Sequence, residues 1–238
     1  MTERARPPVR APLVFVDDLD QPTLAPHDDH HLRRVLRLRD GDDVTIADGA
    51  GRWRRATFGD PLQATSEVRA EPDAVPVITI AFALLKGDRP EYVVQKLTEL
   101  GVDRIVPFVA ARSIVRWDDA KADRNLERLR KVAREAAMQC RRARLPIVDP
   151  VAQFADLVAL GPVDLADFDG GAPTLDRPIV AIGPEGGWTD EERAAVPSRV
   201  VLSPHVLRAE TAAITAGALL GGLRAGVVNV PTRDVVDP

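Results

Sequence analysis

The chain has 238 residues, 45% of them hydrophobic and 29% charged, with a formal net charge of −4. That length holds one large domain, or a small one beside a medium one, and the composition is that of a soluble globular protein. A single cysteine, Cys140, excludes an internal disulfide and any zinc site built on several thiolates. It points to a reducing, cytoplasmic setting. The longest apolar runs, such as "VITIAFALL", are too short to span a bilayer as a helix, and "MTERARPPVRAPLVF" has no signal-peptide core. No membrane partner and no export are expected.

In chain order, residues 13–70 carry short alternating runs broken by turn signals: "PLVFV", "DVTIADGAG", "RWRRATF", "SEVRAE". This pattern predicts a small, mainly antiparallel β domain, with a hairpin at Asp48-Gly49. A short helix is predicted over 28–37, where Leu32, Val35 and Leu36 fall at helical spacing and Asp40-Gly41 follows. Basic residues cluster there at Arg33, Arg34, Arg37 and Arg39. With 28 arginines against four lysines in the chain, such a cluster reads equally as a solvated face or a phosphate-binding patch.

"EPDAVP", 71–76, reads as a linker, so the domains are predicted as 1–73 and 74–238. Beyond it strands and helices alternate. "VITIAFALL" predicts a strand buried on both faces, "EYVVQKLTEL" a helix ended by Gly101, and "RIVPFVA" a strand. "DRNLERLRKVAREAAMQC" predicts an amphipathic helix and "VAQFADLVAL" a shorter one. "VDLADF", "RPIVAIG" and "RVVLS" predict strands, and "AETAAITAGALLGGL" the last helix. This order implies an α/β fold with a mostly parallel sheet.

Four stretches carry candidate chemistry. "IGPEGGWTDEE", 182–192, ends a strand in Gly183, Gly186 and Gly187, leaving bare backbone where parallel sheets bind ligands. Thr189-x-x-Glu192 then has capping-box form. The spacing fits neither a phosphate loop nor a dinucleotide fingerprint, and a structural tight turn is the alternative. "VLSPHVLRAET" places Arg208 and Glu210 at a helix start, where an arginine opposes the helix dipole. The small residues Ala212, Ala213, Ala216, Gly217 and Ala218 permit close helix packing, inside the chain or at an interface. In "REAAMQCRRARLP", Gln139, Arg142 and Arg144 could present donors to an anion or a base. In "LLKGDRPEYVVQKLTELG", Lys86 and Arg89 sit at a strand's carboxyl end.

"HHLRRVLRLRDGD", "KGDRPEYVVQKLTELGVDRIVPF", "EAAMQCRRARLP", "IGPEGGWTDEE" and "LSPHVLRAETAAI", in this order, resemble the small-subunit ribosomal RNA methyltransferase E family of the SPOUT superfamily. The resemblance implies methylation of uridine N3 in 16S rRNA with S-adenosylmethionine. It implies a catalytic domain with a C-terminal trefoil knot, a PUA-like RNA-binding domain before it, and a homodimer. The cofactor would lie on Ile182, Gly183, Pro184, Glu185, Gly186, Gly187, Leu202, Ser203, Val206, Leu207, Arg208 and Thr211. Arg208, Glu210 and Arg142 would act in catalysis, with Arg33, Arg34, Arg37, Lys86, Arg89, Gln139, Arg142 and Arg144 on RNA. Arg141 replaces the glycine or small polar residue of many members, Met138 the glutamate of some, and His205 a frequent arginine. No metal is implied. The rival readings are a methyltransferase for tRNA or ribose 2′-hydroxyls, and an RNA-binding module without catalysis.

Overall fold

The N-terminal runs and the later apolar runs build separate sheets in a computed structural model that describes residues 6–229. In the first sheet β1 (Leu13–Phe15) lies parallel to β2 (Asp43–Ala47). The rest is antiparallel, as expected: β2 with β3 (Arg52–Thr57), and β3 with β4 (Gln63–Ala64) and β5 (Arg69–Ala70). The predicted hairpin closes because the Asp48 carboxylate accepts the N–H groups of Ala50 and Arg52 at 2.8 and 3.0 Å. Between β1 and β2, α1 (Pro26–His30) continues into a π-helical turn, His31–Val35. That turn stops at Arg37, which takes a left-handed φ of 58° and lets Leu38 N–H reach back to Leu32 O at 3.0 Å. Leu32 and Leu38 then pack with Val14, Val44, Ile46 and Phe58 as the core of this sheet.

The second sheet has seven strands, all pairings parallel, in the order β12-β10-β11-β6-β7-β8 with β9 also on β7. Its elements are β6 (Thr79–Ala83), α2 (Arg89–Glu99), β7 (Arg104–Val109), α3 (Asp119–Cys140), β8 (Ile147–Val148), β9 (Ala152–Gln153), α4 (Phe154–Val158), β10 (Val163–Gly171), β11 (Ile179–Ile182), α5 (Asp190–Ala195), β12 (Arg199–Val200) and α6 (Ala209–Ala225). All five positions of β6 are buried, which is why "VITIAFALL" lacks alternation. "VAQFADLVAL" is only partly helical, because Ala152 and Gln153 pair with Phe108 and Val109 of β7. "VDLADF" runs on as strand to Gly171.

Helix α6 packs on α2, β6 and β11. A Cβ at Gly217 would lie 2.7 Å from Leu97 Cδ2, and one at Gly221 2.7 Å from Leu100 O. Ala213, Ala216 and Leu220 beside them are fully buried. Ala213, Ala216 and Gly217 of the small-residue stripe are therefore used inside the chain, whereas Ala212 borders the cavity described below and Ala218 is exposed, so the stripe is not by itself a mark of an interface.

Two compact units result: residues up to Ala74 with Arg130–Pro146, and Val75–Leu129 with the residues from Ile147 onward. The first boundary falls in the expected linker. The segment 130–146, expected with the C-terminal part, packs with the first unit. Its anchor there is Arg134, whose two terminal nitrogens meet the Asp28 carboxylate at 3.0 and 2.6 Å. Asp28 is 2% exposed. Arg134 also donates to Phe15 O at 3.3 Å and lies 5.5 Å from the Phe15 ring centroid. No helix among the described residues is long and apolar enough to cross a membrane.

Candidate active site

Strands β12, β10 and β11 are neighbours and parallel, so their carboxyl ends lie side by side. A cavity of about 360 Å³ opens there, walled by the segments that leave each strand. From β11 come Ile182, Gly183, Pro184, Glu185, Gly187 and Trp188. From β12 come Leu202, Ser203, His205, Val206, Leu207 and Arg208, followed by Ala209 and Ala212 of α6.

The glycines of the first segment have separate reasons. A Cβ at Gly183 would stand 2.9 Å from the Trp188 ring. Trp188 is 2% exposed, stacks on Phe108 at 6.1 Å between centroids, and donates through Nε1–H to Ala166 O at 2.9 Å. The bare Gly183 lets this indole fold against the loop and close the cavity wall. Gly187 has φ 69°, and its N–H closes a turn onto Pro184 O at 2.8 Å. Gly186 is not part of the wall; a Cβ there would meet Arg112 Cβ at 3.2 Å. Gly186, expected on the cofactor, therefore lies outside the cavity wall.

The predicted capping box is present: Thr189 Oγ1 accepts Glu192 N–H at 3.2 Å, and Glu192 Oε2 accepts Thr189 N–H at 2.9 Å. Glu192 Oε1 also accepts Ala111 N–H at 2.8 Å, so one buried carboxylate ties the segment after β7 to the glycine loop. Glu192→Gln turns one acceptor into an N–H donor facing another N–H. It should cost about 1–3 kcal/mol in denaturant unfolding, whereas loss below 0.5 kcal/mol would remove the tie from this account.

In the second loop Thr211 is exposed and outside the wall, and Ala212 takes its place. Arg208 stands at the N-cap of α6 without a side-chain cap, exposed at the cavity, and among the described residues it makes no ion pair. Glu210 is mostly buried, and its Oε2 has no hydrogen-bond partner among the described residues. Arg89 joins the two loops, with Nη1 3.2 Å from Glu185 Oε1 and Nε 3.8 Å from Glu210 Oε1. It thus sits in a protein ion-pair network, though it was expected on RNA. Lys86 is exposed in the segment after β6.

Sequence reasoning missed the wall from β10: Ala166, Asp167 and Phe168. Ala166 and Gly171 both pair with Val200, so residues 167–170 bulge from the sheet. Asp167 accepts Arg193 Nε–H at 2.9 Å, and Asp169 accepts Arg199 Nη1–H at 2.6 Å. These bonds hold the Asp169 carboxyl below, and the Arg193 guanidinium above, their usual ranges. A Cβ at Gly170 would run into the Arg199 carbonyl, which explains the glycine. The "DFDGG" run, two acids about an aromatic before two glycines, was the available signal.

The remaining candidates belong to the first unit. Arg33 is engaged by Asp29 at 2.9 Å and Asp40 at 3.0 Å and lies 4.6 Å from the Phe58 ring centroid, whereas Arg34 and Arg37 are exposed. Arg144 pairs with Asp73 at 2.9 Å. Gln139 is exposed, and Arg142 N–H closes the end of α3 onto Ala137 O at 2.9 Å. Arg141 takes the left-handed position there, φ 61°, the conformation a glycine would adopt most easily. Its guanidinium folds back onto Met138 O at 2.5 Å, and burial lowers its pKa.

Comparison with known proteins agrees with this geometry. A family model described as an RNA methyltransferase domain matches residues 72–221, and one described as an RNA methyltransferase PUA domain matches 26–63. The chain is 34% identical over 222 residues to ribosomal RNA small subunit methyltransferase E of Mycobacterium bovis, covering 81% of this chain and 83% of that one. Against its Bacillus subtilis counterpart identity is 32% over 223 residues, covering 79% and 84%. Two solved structures are similar. One is methyltransferase E of Neisseria gonorrhoeae bound to S-adenosyl methionine, with TM-score 0.71, 26% identity, and 90% and 98% of the two chains covered. The other is a Legionella pneumophila methyltransferase with bound SAM, with TM-score 0.73, 27% identity, and the same coverage. With a catalytic-domain match over most of its length and relatives above 30% identity, the chain belongs to the ribosomal RNA small subunit methyltransferase E family.

Proposed function

We propose that the protein binds S-adenosylmethionine in the cavity at the ends of β10, β11 and β12 and methylates N3 of a uridine in small-subunit ribosomal RNA. The observation that carries this is the cavity itself: two backbone-rich loops, walled by Trp188, with Arg208, which makes no ion pair among the described residues, at its edge. The fit to the cofactor is physical. Bare backbone at Gly183 and Gly187 and apolar walls at Ile182, Leu202 and Leu207 suit a nucleoside that needs close approach and few charges. When bound, the cofactor supplies a methyl group on a positively charged sulfur.

The residues do the rest. Holding the target base in line with that methyl group can lower the barrier by roughly 7–11 kcal/mol. Uracil N3 must lose its proton, and negative charge then spreads over O2, N3 and O4. Arg208, exposed and without an ion pair among the described residues, is the donor for that charge, with Lys86 as a further cationic candidate. Glu210 is the candidate proton acceptor; Arg89 holds one of its oxygens and leaves the other without a partner. Relatives named for small-subunit rRNA support the substrate class. Mapping the modified nucleotide on reconstituted small subunits tests it: N3-methyluridine is expected, and a ribose 2′-O-methyl product or methylation confined to tRNA would contradict it.

The first unit positions RNA. Since Arg33 is held by two aspartates, Arg34 and Arg37 are the better phosphate contacts. Replacing both by alanine and glycine respectively should flatten the log–log salt dependence of RNA binding by about two units, with cofactor affinity unchanged. An unchanged slope would make them a solvated face. A homodimer is also proposed, through surface other than the buried stripe of α6; a monomer mass by light scattering at micromolar concentration would count against it.

A further inference from the structure

Of the six phenylalanines, Phe15, Phe58, Phe82 and Phe108 are buried and Phe154 packs against the core about Trp188, whereas Phe168 is 75% exposed. A lone exposed apolar side chain needs no explanation, but this one is on a fixed backbone at the cavity. Its neighbours on both sides are pinned, Asp167 by Arg193 and Asp169 by Arg199. Its own N–H donates to Asp167 Oδ1 at 2.9 Å. Past it, Gly170 fits against the Arg199 backbone and Gly171 O accepts Val201 N–H at 2.9 Å, so the bulge is clamped at its far end as well. Val206, 79% exposed, adds a second apolar side chain to the same wall from the other loop. A bulge held this firmly serves to re-aim a side chain. A phenyl ring with two rotatable bonds on rigid backbone loses little entropy when a flat ring settles on it.

We infer that Phe168 is a stacking platform for a nucleobase entering the cavity. Every base has a π-face, and aromatic side chains beside active sites hold bases in this way. The inference rests on the methyltransferase reading above and deepens it. Two bases could supply the face, the RNA's target base and the adenine of the cofactor.

The test compares Phe168→Ala, Phe168→Leu and Phe168→Trp with the wild type in two arms. One is calorimetric affinity for S-adenosylmethionine. The other is the RNA concentration giving half-maximal single-turnover methylation, with an abasic residue at the modified position as control in RNA binding. Phe168→Ala should weaken one arm by about five- to 150-fold. Phe168→Leu should be nearly as weak, since apolar area alone does not stack, and Phe168→Trp should recover most of the loss. Loss in the cofactor arm assigns adenine. Loss in the RNA arm that disappears with the abasic RNA assigns the target base. Both arms unchanged in Phe168→Ala, or full activity in Phe168→Leu, overturns the inference. A wild type that binds the cofactor but methylates no RNA overturns the RNA reading instead, and the cofactor arm then judges Phe168 alone.

Discussion

Arg208→Ala should lower single-turnover methylation at saturating RNA and cofactor by about 10²–10³, or ~2.7–4 kcal/mol, with only a slight fall in cofactor affinity. The size follows from where the guanidinium stands. It is exposed at the cavity, makes no ion pair among the described residues, and sits at the positive end of the α6 dipole, where a cation is unfavourable. Charge developing on the uracil oxygens would offset that cost only in the transition state. Arg208→Lys keeps the charge and loses the planar fork, so partial recovery is expected. The competing role, tying the two sides of the cavity together, already belongs to Arg89, which reaches Glu185 on the first loop and Glu210 in the first turn of α6. If Arg208→Ala instead weakened cofactor binding strongly and saturating cofactor restored the rate, Arg208 would be a second tie and no transition-state donor.

The largest expected effect on stability is at Arg134. Arg134→Ala leaves the Asp28 carboxylate buried without its cation and should cost about 3–5 kcal/mol in denaturant unfolding. The pair is bidentate, and Arg134 also covers Phe15 and bonds its carbonyl, so packing is lost together with charge. Replacing both partners, Asp28→Leu with Arg134→Met, should cost much less than Arg134→Ala alone, because no charge is then stranded. A double variant as unstable as the single one would mean that packing, not the buried charge, accounts for the loss. Because Arg134 lies in the segment that joins the first unit, RNA binding should weaken as that unit loosens, while cofactor affinity holds.

Features set by local chemistry were legible in the sequence. The Asp48 hairpin, the Thr189 capping box, Gly101 after α2 and the buried run of β6 each depend on a few adjacent residues. The two loops that wall the cavity were visible as bare strand ends, since a strand end stripped of side chains shows without knowing its neighbours. What required the fold was direction and partner. Whether Gly183 or Gly186 borders the cavity depends on Trp188 and Arg112, both distant from the strand end in a different sense: one folds back, the other arrives from the segment after β7. The bulge at 167–170 exists only because Ala166 and Gly171 share Val200 as partner. An amphipathic stripe along α3 shows that one face is buried but not against what, so the membership of 130–146 in the first unit was invisible. For α6 the small residues left two explanations open, and close contact with Leu97 selects the interior one for Gly217, while Ala218 stays exposed.

The cavity at the ends of β10, β11 and β12 is proposed to hold the methyl donor. Calorimetric titration of S-adenosylmethionine into wild type and Ala212→Phe tests it most directly. Ala212 is helical and lines the cavity, so a phenyl group there fills ligand space without straining backbone. One bound cofactor per wild-type chain and none for Ala212→Phe are expected, with both proteins unfolding cooperatively. Absence of binding to the wild type, or equal affinity in the two, would contradict it.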